Sequence, residues 1–313
     1  MLRLRSIVGF FVAACLGWTG GCSRAPADAV HLPPAEAEPQ VLRIAFVPQV
    51  DMEERYDDAY RALEAYLAPA LGLKVEVVQV ESVNVALEGL RGRKLDLCNF
   101  SPWPFLIAER KAGMQALLVT AGADGLPVSY RTILIARPDL GLRSFDELRA
   151  RAGQLVFSFE EPVSTSGHLV PRTFFHAVGF DPEASFKQVL FSPDSTVSIL
   201  AVKSGRLDVA AVSRNGFDRA IEKNRIGADE LAVLWTSDPV LANVVAIRRE
   251  LPDAFKARVR DALVRMADAA PELWAVVARQ YSNPVSRYLP ADDAHFARFR
   301  EAVEHVAGLQ IAL

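Results

Sequence analysis

Three successive hydroxyl side chains and a glycine, Ser164-Thr165-Ser166-Gly167, form the stretch whose residue types best suit chemistry. A short apolar run, residues 155–159, precedes it and an apolar-periodic segment follows it, so the pattern predicts a strand, a turn and a helix. The first N–H groups of a helix have no partner within the helix, and the helix dipole adds about half a positive charge there. Such an end binds phosphate-like groups without a lysine. The hydroxyls can donate to a tetrahedral oxyanion, and the glycine lets the backbone approach it closely.

The same stretch also has a purely structural interpretation. Serine and threonine before a helix are common N-caps, and one hydroxyl is enough for a cap. An oxyanion site needs donors from other elements as well. Both interpretations therefore stay open until the rest of the chain is considered.

A catalytic interpretation needs a nucleophile with a base. Ser164 or Ser166 together with His168 and Asp194 has the residue types of a hydrolase triad, but the sequence contains no Gly-x-Ser-x-Gly turn, and chain order says nothing about geometry. The five histidines show no paired ligand spacing. We therefore predict a binding protein that is not an enzyme and that uses no metal and no cofactor.

The composition indicates a soluble α/β protein of one large or two medium domains. The chain has 313 residues, a formal net charge of −3 and 51% hydrophobic residues. It contains no run of Lys or Arg, which argues against nucleic acid as a partner, because duplex binding requires several phosphates to be neutralised at once. Cys98 follows an apolar strand pattern, so we expect a small buried hydrophobe there.

The N-terminus predicts a lipoprotein signal. Two arginines precede an apolar run at residues 6–18, which is the pattern of a secretory signal and is too short for a comfortable transmembrane helix. The residues Thr19-Gly20-Gly21-Cys22 resemble the lipobox of bacterial lipoproteins, so we predict a signal peptide over residues 1–22 with Cys22 lipidated. Cys15 is the alternative lipidation site, and an ordinary secretory signal without a lipid is a further alternative. Residues 23–40, rich in Ala, Pro and Glu, are predicted to be a flexible tether.

The order of the predicted elements brings distant residues to one place. From Val41 onward strands and helices alternate, which predicts an α/β fold with mainly parallel sheets and helices on both faces. Ligands bind such sheets at the carboxyl ends of strands, where Phe100 and Ser101 follow the third predicted strand. The chain crosses into a second lobe near Tyr130 and returns near Asn243, and two connections between lobes make a hinge with a cleft. We predict lobe 1 over residues 41–128 plus 245–313 and lobe 2 over 129–244.

The sequence resembles the substrate-binding lipoproteins of phosphonate, phosphite and phosphate ABC transporters. These proteins have the type II periplasmic binding protein fold. The specific match is Pro162-x-Ser164-Thr165-Ser166-Gly167-x-Leu169-x-Pro171, and Leu200-Ala201-Val202-x-x-Gly205-x-Leu207-Asp208-Val209-Ala210 supports it. The resemblance implies two lobes joined by a two-strand hinge, a small oxyanion ligand, and an ABC permease and ATPase as membrane partners. It also implies a monomer at the periplasmic or extracytoplasmic face, anchored by lipid.

The resemblance also assigns roles to individual residues. Ser164, Thr165, Ser166 and Gly167 match the loop that grips the phosphonate oxygens in the family. The resemblance places four other residues in the cleft: Phe100, where a Tyr is frequent, Tyr130 on the crossing strand, Ser195, where the family has a His, and Asn215. Ser101 is expected there because it follows the third predicted strand. Asn243 joins them, since Asn215 and Asn243 stand where aminoethylphosphonate binders have two carboxylates.

These departures predict the choice of ligand. Without carboxylates an ammonium group would lose its hydration uncompensated, so we expect a phosphorus oxyanion or a phosphonate without an amine. Phe100 and Trp103 are expected to make the far end of the cleft apolar. The alternatives are that Arg131 or Arg214 enters the cleft and favours a more highly charged ligand, that the ligand is another anion such as a sulfonate, or that the protein is a ligand-sensing lipoprotein.

Overall fold

The structure, a computed structural model, describes residues 37–47, 53–306 and 309. The predicted signal peptide, Cys22 and most of the predicted tether lie outside the described residues. Over the described ranges, no helix has an apolar stretch long enough to cross a bilayer.

Strands and helices alternate along most of the chain, as the sequence pattern predicts. The strands are β1 (Val41–Phe46), β2 (Lys74–Gln79), β3 (Leu97–Phe100), β4 (Met114–Ala121), β5 (Ser129–Tyr130), β6 (Thr132–Ala136), β7 (Val156–Glu160), β8 (Gln188–Ser192), β9 (Val209–Ser213), β10 (Ala232–Thr236), β11 (Val240–Leu241), β12 (Val244–Arg248) and β13 (Arg287–Pro290). The α-helices are α1 (Glu53–Leu71), α2 (Val83–Arg91), α3 (Pro102–Ala112), α4 (Phe145–Arg151), α5 (Val170–Ala177), α6 (Pro182–Ser185), α7 (Ser195–Lys203), α8 (Arg214–Glu222), α9 (Asp253–Ala269), α10 (Pro271–Ala278) and α11 (Ala297–His305).

The strands form two large sheets, which confirms the predicted α/β class with two lobes. The first has the order β13-β4-β12-β3-β1-β2, and the second has the order β10-β6-β9-β7-β8. Both sheets are mixed and not mainly parallel as predicted: β1 is parallel to β2 and β3, and β7 to β8 and β9, whereas β12 and β6 are antiparallel to both of their neighbours. The chain reaches β6 and β12 from the other sheet, so no helical crossover forces them to run parallel.

Two short strands connect the sheets. β5 pairs antiparallel with β11, with Tyr130 opposite Val240, and the Ala242 N–H donates to the Val128 carbonyl at 2.9 Å. The crossing strand predicted from Tyr130 onward is broken at Arg131 into β5 and β6. The two connections therefore lie side by side, the arrangement that a two-strand hinge requires. The boundaries chosen for the lobes remain a prediction.

Apolar side chains cover both faces of each sheet. Leu42 and Ile44 pack on the side of α1 and α9, whereas Phe105 of α3 packs on the opposite side. Every residue of β6 is buried, which is typical of a strand covered on both faces. Cys98 lies in this core, fully buried, and burial raises the pKa of its thiol, as expected for a small buried hydrophobe.

Candidate ligand-binding site

A cavity of about 480 Å³ lies at the carboxyl ends of β3 and β7 and at the starts of α7 and α8. This volume suits a small molecule, because ligand pockets commonly measure about 300–1,000 Å³. The predicted site residues that line it are Phe100, Ser101, Tyr130, Ser164, Thr165, Ser166, Ser195, Asn215 and Asn243. The fold therefore brings together every predicted site residue except Gly167, which lies against the Glu160 side chain.

The hydroxyl stretch begins a π-helical turn, Thr165–Leu169, that continues into α5. Ser164 is its N-cap, and its Oγ accepts a hydrogen bond from the Gly167 N–H at 3.0 Å. The capping interpretation is therefore right for this one hydroxyl. The N–H groups of Thr165 and Ser166 fall in the first turn, where no acceptor exists within the helix, so this end presents donors as an oxyanion site requires.

A carboxyl group that the sequence analysis missed lies against this turn. Glu160 is the last residue of β7 and is only 5% exposed. Ser164 Oγ donates to Glu160 Oε2 at 2.6 Å, and Ser195 Oγ donates to Glu160 Oε1 at 2.5 Å. A Cβ on Gly167 would lie 2.2 Å from Glu160 Cγ, so the approach of Glu160 is what requires glycine at this position. The sequence contains a signal that could have identified Glu160: an acidic residue at the carboxyl end of an apolar strand is expected at the edge of the sheet where ligands bind.

The surroundings of Glu160 favour its neutral form. Burial is the largest cause and raises the pKa of the carboxyl to about 7, from an ordinary value of 4.5. The hydroxyl hydrogen bonds from Ser164 and Ser195 act in the opposite direction, and the negative charges of Asp194 and Glu161 add to the increase. The Glu160 carboxyl therefore titrates near neutral pH.

Thr165 forms hydrogen bonds between the two lobes. Its Oγ1 donates to Ser101 Oγ at 2.9 Å and accepts from the Trp103 N–H at 3.0 Å, and the Trp103 indole Nε1 donates to the Pro162 carbonyl at 2.7 Å. Trp103 is 1% exposed and is not among the residues that line the cavity. The expectation that it makes one end of the cleft apolar is wrong, because the indole packs in the core and its N–H is satisfied by Pro162.

Tyr130 and Phe100 form an aromatic wall. Both Tyr130 and Ser166 line the cavity. Burial raises the pKa of the Tyr130 phenol, the Ser166 hydroxyl lowers it, and the charge of Glu160 adds to the increase, so the phenol keeps its proton and can donate it to a ligand oxygen. Phe100, 2% exposed, adds an apolar edge beside it.

A second and a third helix begin beside Glu160. Asp194 caps α7 by accepting from the Val197 N–H at 2.8 Å, and Ser195 follows it. Ser213 caps α8, accepting from the Gly216 N–H at 3.0 Å, while its own N–H donates to Ser195 Oγ at 3.1 Å. Ser195 therefore connects two helix starts, whose partial positive charges both favour an anion.

Neutral amides and one guanidinium also line the cavity. Asn215 Nδ2 donates to Asn283 Oδ1 at 2.9 Å, and Asn243 is 8% exposed at the same cavity. Arg219, which the sequence analysis also missed, lines the cavity and donates from Nη1 to Ser282 Oγ at 2.7 Å. The helical spacing of Arg219, four residues after Asn215 on α8, is the signal that could have found it.

Neither of the two arginines proposed from the sequence lines the cavity. Arg131 donates to the carbonyl of Ser237, and Arg214 donates from Nε to Asp218 Oδ1 at 2.8 Å. Arg214 is also largely exposed. The alternative that Arg131 or Arg214 sets the ligand charge is therefore not supported.

His168 has no hydrolase geometry. Its Nε2 accepts from Arg172 Nε at 2.8 Å, and its ring packs 5.4 Å from that of Phe159. Burial, with the Arg172 guanidinium, lowers the pKa of His168 to about 3. Ser164 donates to Glu160 instead. In the described part of the chain, no cluster of three or more His, Cys, Asp or Glu side chains is placed to hold a metal ion.

Comparison with known proteins gives a consistent result. Residues 44–296 match the family described as "ABC transporter, phosphonate, periplasmic substrate-binding protein". The phosphonates-binding periplasmic protein of Escherichia coli is 26% identical over 249 residues, covering 79% of this chain and 73% of that protein, and the phosphate-import protein PhnD of Mycolicibacterium smegmatis is 27% identical, covering 74% and 72%. A crystal structure of a binding protein component of an ABC phosphonate transporter from Pseudomonas aeruginosa aligns with a TM-score of 0.69 at 25% identity, covering 84% of this chain and 85% of that one. With a family match over most of its length and this fold, the chain belongs to the periplasmic substrate-binding proteins of phosphonate ABC transporters.

Proposed function

We propose that the protein is the solute-binding component of an ABC importer and holds a small phosphorus oxyanion in this cavity. The observation that carries the proposal is the convergence of the Ser164 and Ser195 hydroxyls, each at the start of a helical segment, on one acidic group. Donors that hold a carboxyl group also suit the oxygens of phosphonate, phosphite or phosphate. The relatives named for phosphonate binding and phosphate import support this class of ligand.

The ligand that we propose carries no amine. Asn215 and Asn243 offer dipoles but no charge to the cavity, and Arg219, which also lines it, is itself positive. Of the acidic residues that line the cavity, Glu160 holds the Ser164 and Ser195 hydroxyls, Asp194 caps α7, and Glu81 and Glu161 are exposed. An ammonium group beside the two amides and Arg219 would therefore lose hydration without a carboxylate to replace it.

Calorimetric titration with methylphosphonate, phosphite, phosphate and 2-aminoethylphosphonate tests both points. In Ser164→Ala/Ser195→Ala we expect the affinity for the first three to fall about a hundredfold or more, because hydrogen bonds to charged groups are worth about 1.5–3 kcal/mol each. Ser204→Ala, which removes an exposed hydroxyl at the other end of α7, is the matched control and should bind as the wild type does. Unchanged affinity in the folded double variant would refute the site, and tighter binding of 2-aminoethylphosphonate than of methylphosphonate would refute the proposed selectivity.

The same proposal includes the protein's place in the cell. We propose that it works in the periplasm as a monomer, anchored through lipid on Cys22, and delivers its ligand to a membrane permease and ATPase without transforming it. The family match supports the periplasmic location and the transport role. Ser164 bonds Glu160 and His168 bonds Arg172, so the two are not paired as nucleophile and base, and this supports binding without chemistry.

A further inference from the structure

The buried carboxyl of Glu160 conflicts with an oxyanion in the same cavity. Glu160 takes the hydrogen bonds of Ser164 and Ser195, the two hydroxyls assigned to the ligand. A ligand oxygen bound by these hydroxyls would lie beside the Glu160 oxygens. Two negative groups at that separation in a buried site cannot both stay ionised, so one of them must carry a proton.

Two acidic neighbours of Glu160 increase this requirement, and one positively charged residue of the same cavity opposes it. Glu161 follows it on the same chain segment, and Asp194 faces it from the start of α7; both disfavour its negative charge. Tyr130 of β5 faces it with a phenol that stays protonated. Arg219 of α8 lines the same cavity, with its Nη1 hydrogen-bonded to Ser282.

We infer, on the basis of the proposed function, that Glu160 determines which protonation state of the ligand is bound, by sharing one proton with an oxygen of the phosphorus oxyanion. The proton lies either on the ligand as a P–OH that donates to the Glu160 carboxylate, or on Glu160, which then donates to a P–O⁻. Both forms contain the same number of protons. A ligand oxygen without a proton, facing an ionised Glu160, is excluded.

Binding is then coupled to proton uptake at alkaline pH. Well above pH 7 both the free carboxyl and a free dianionic ligand have lost their protons, so one proton enters with each ligand. In that range each rise of one pH unit lowers the affinity about tenfold. At pH 7 the Glu160 carboxyl is still about half protonated, so from pH 7 to 8.5 the affinity of the wild type for methylphosphonate should fall by at most about fifteenfold.

The variant Glu160→Gln tests the role of the shared proton, because it keeps the shape of the site but cannot ionise. The amide has nearly the same shape, cannot ionise, and donates N–H to a fully deprotonated oxygen. We expect this variant to bind methylphosphonate with little dependence on pH between 7.5 and 8.5, and to bind more tightly than the wild type at pH 8.5. Glu222→Gln is the matched control, since it removes an exposed carboxylate at the far end of α8 that does not line the cavity, and it should keep the steep pH dependence.

Calorimetric titration of the full mature protein with methylphosphonate, at pH 5.5, 7.0 and 8.5 in buffers of different ionisation enthalpy, tests the inference. Uptake of close to one proton by the wild type at pH 8.5, lost in Glu160→Gln, supports it. Binding by the wild type that is equally tight at pH 7.0 and 8.5 with no proton uptake overturns it and leaves the proposed function standing. No binding of methylphosphonate, phosphite or phosphate at any of these pH values overturns the proposed function, and the inference with it. The number of protons that the wild type takes up with methylphosphonate tests the inference even if Glu160→Gln does not fold.

Discussion

Replacement of Glu160 by Gln should change how the stability of the ligand-free protein depends on pH. The folded state raises the pKa of this carboxyl from 4.5 to about 7, so the folded protein holds the proton more tightly than the unfolded chain. Its contribution to stability is therefore fully present below pH 4.5 and is lost as the pH rises through 7. The loss totals about 3 kcal/mol, of which about 2.5 kcal/mol falls between pH 5 and pH 8.

Urea unfolding of the wild type and of Glu160→Gln, followed by circular dichroism at pH 5, 6, 7 and 8, measures this effect. The free energy of unfolding of the wild type, taken relative to the variant at each pH, should fall by about 2.5 kcal/mol across the series. The comparison cancels the titration of the other groups, which both proteins share. A difference that stays constant from pH 5 to pH 8 would refute the assignment of a raised pKa to Glu160, and with it the description of this side chain as desolvated.

Three other predictions follow from the same region. Gly167→Ala should lower the free energy of unfolding by about 1–3 kcal/mol or more, because the new methyl group would overlap Glu160, and the loss should be much smaller when it is made in a Glu160→Gly background; equal losses in both backgrounds would contradict the overlap. Thr165→Val should cost about 1–3 kcal/mol, because the buried Trp103 N–H loses its acceptor, whereas Thr173→Val, which removes a bond within one helical segment, should cost less; similar costs in urea unfolding would contradict this. Mass spectrometry of the mature N-terminal peptide should find a lipid-modified Cys22, and an unmodified N-terminus that begins after Cys22 would contradict the anchor.

The sequence was enough to predict most of the elements around the cavity, because local signals fix them. Ser101 before α3 and the hydroxyls before α5 are side chains that begin helices after apolar strands, and this pattern is readable in one dimension. The direction of β6 and β12 was not readable, because strand direction depends on which sheet the chain has just left. Hydrophobic periodicity identifies a segment as a strand or a helix, but it does not say in which direction that strand runs relative to its neighbours in the sheet.

The site residues that the sequence analysis missed share a physical cause. Glu160 and Arg219 are charged types that normally lie in solvent, so their types alone argued for an exposed position. Their place in the cavity depends on the meeting of β7, α7 and α8, which are distant in sequence. Trp103 was wrongly expected to line the cleft: it is a large aromatic residue near the ligand edge of the sheet, but its side chain is buried in the core.

The contact between Trp103 and Pro162 gives this protein a built-in optical reporter. Any motion that separates the lobes must break the bond from the indole Nε1 to the Pro162 carbonyl and bring water to a ring that is now 1% exposed. Trp235 and Trp274, the other tryptophans in the described residues, lie in β10 and α10, remote in sequence from this contact. A protein retaining only Trp103 would therefore signal opening of the cleft as a red shift and a change in intensity of its own fluorescence, with no dye attached and no ligand label required.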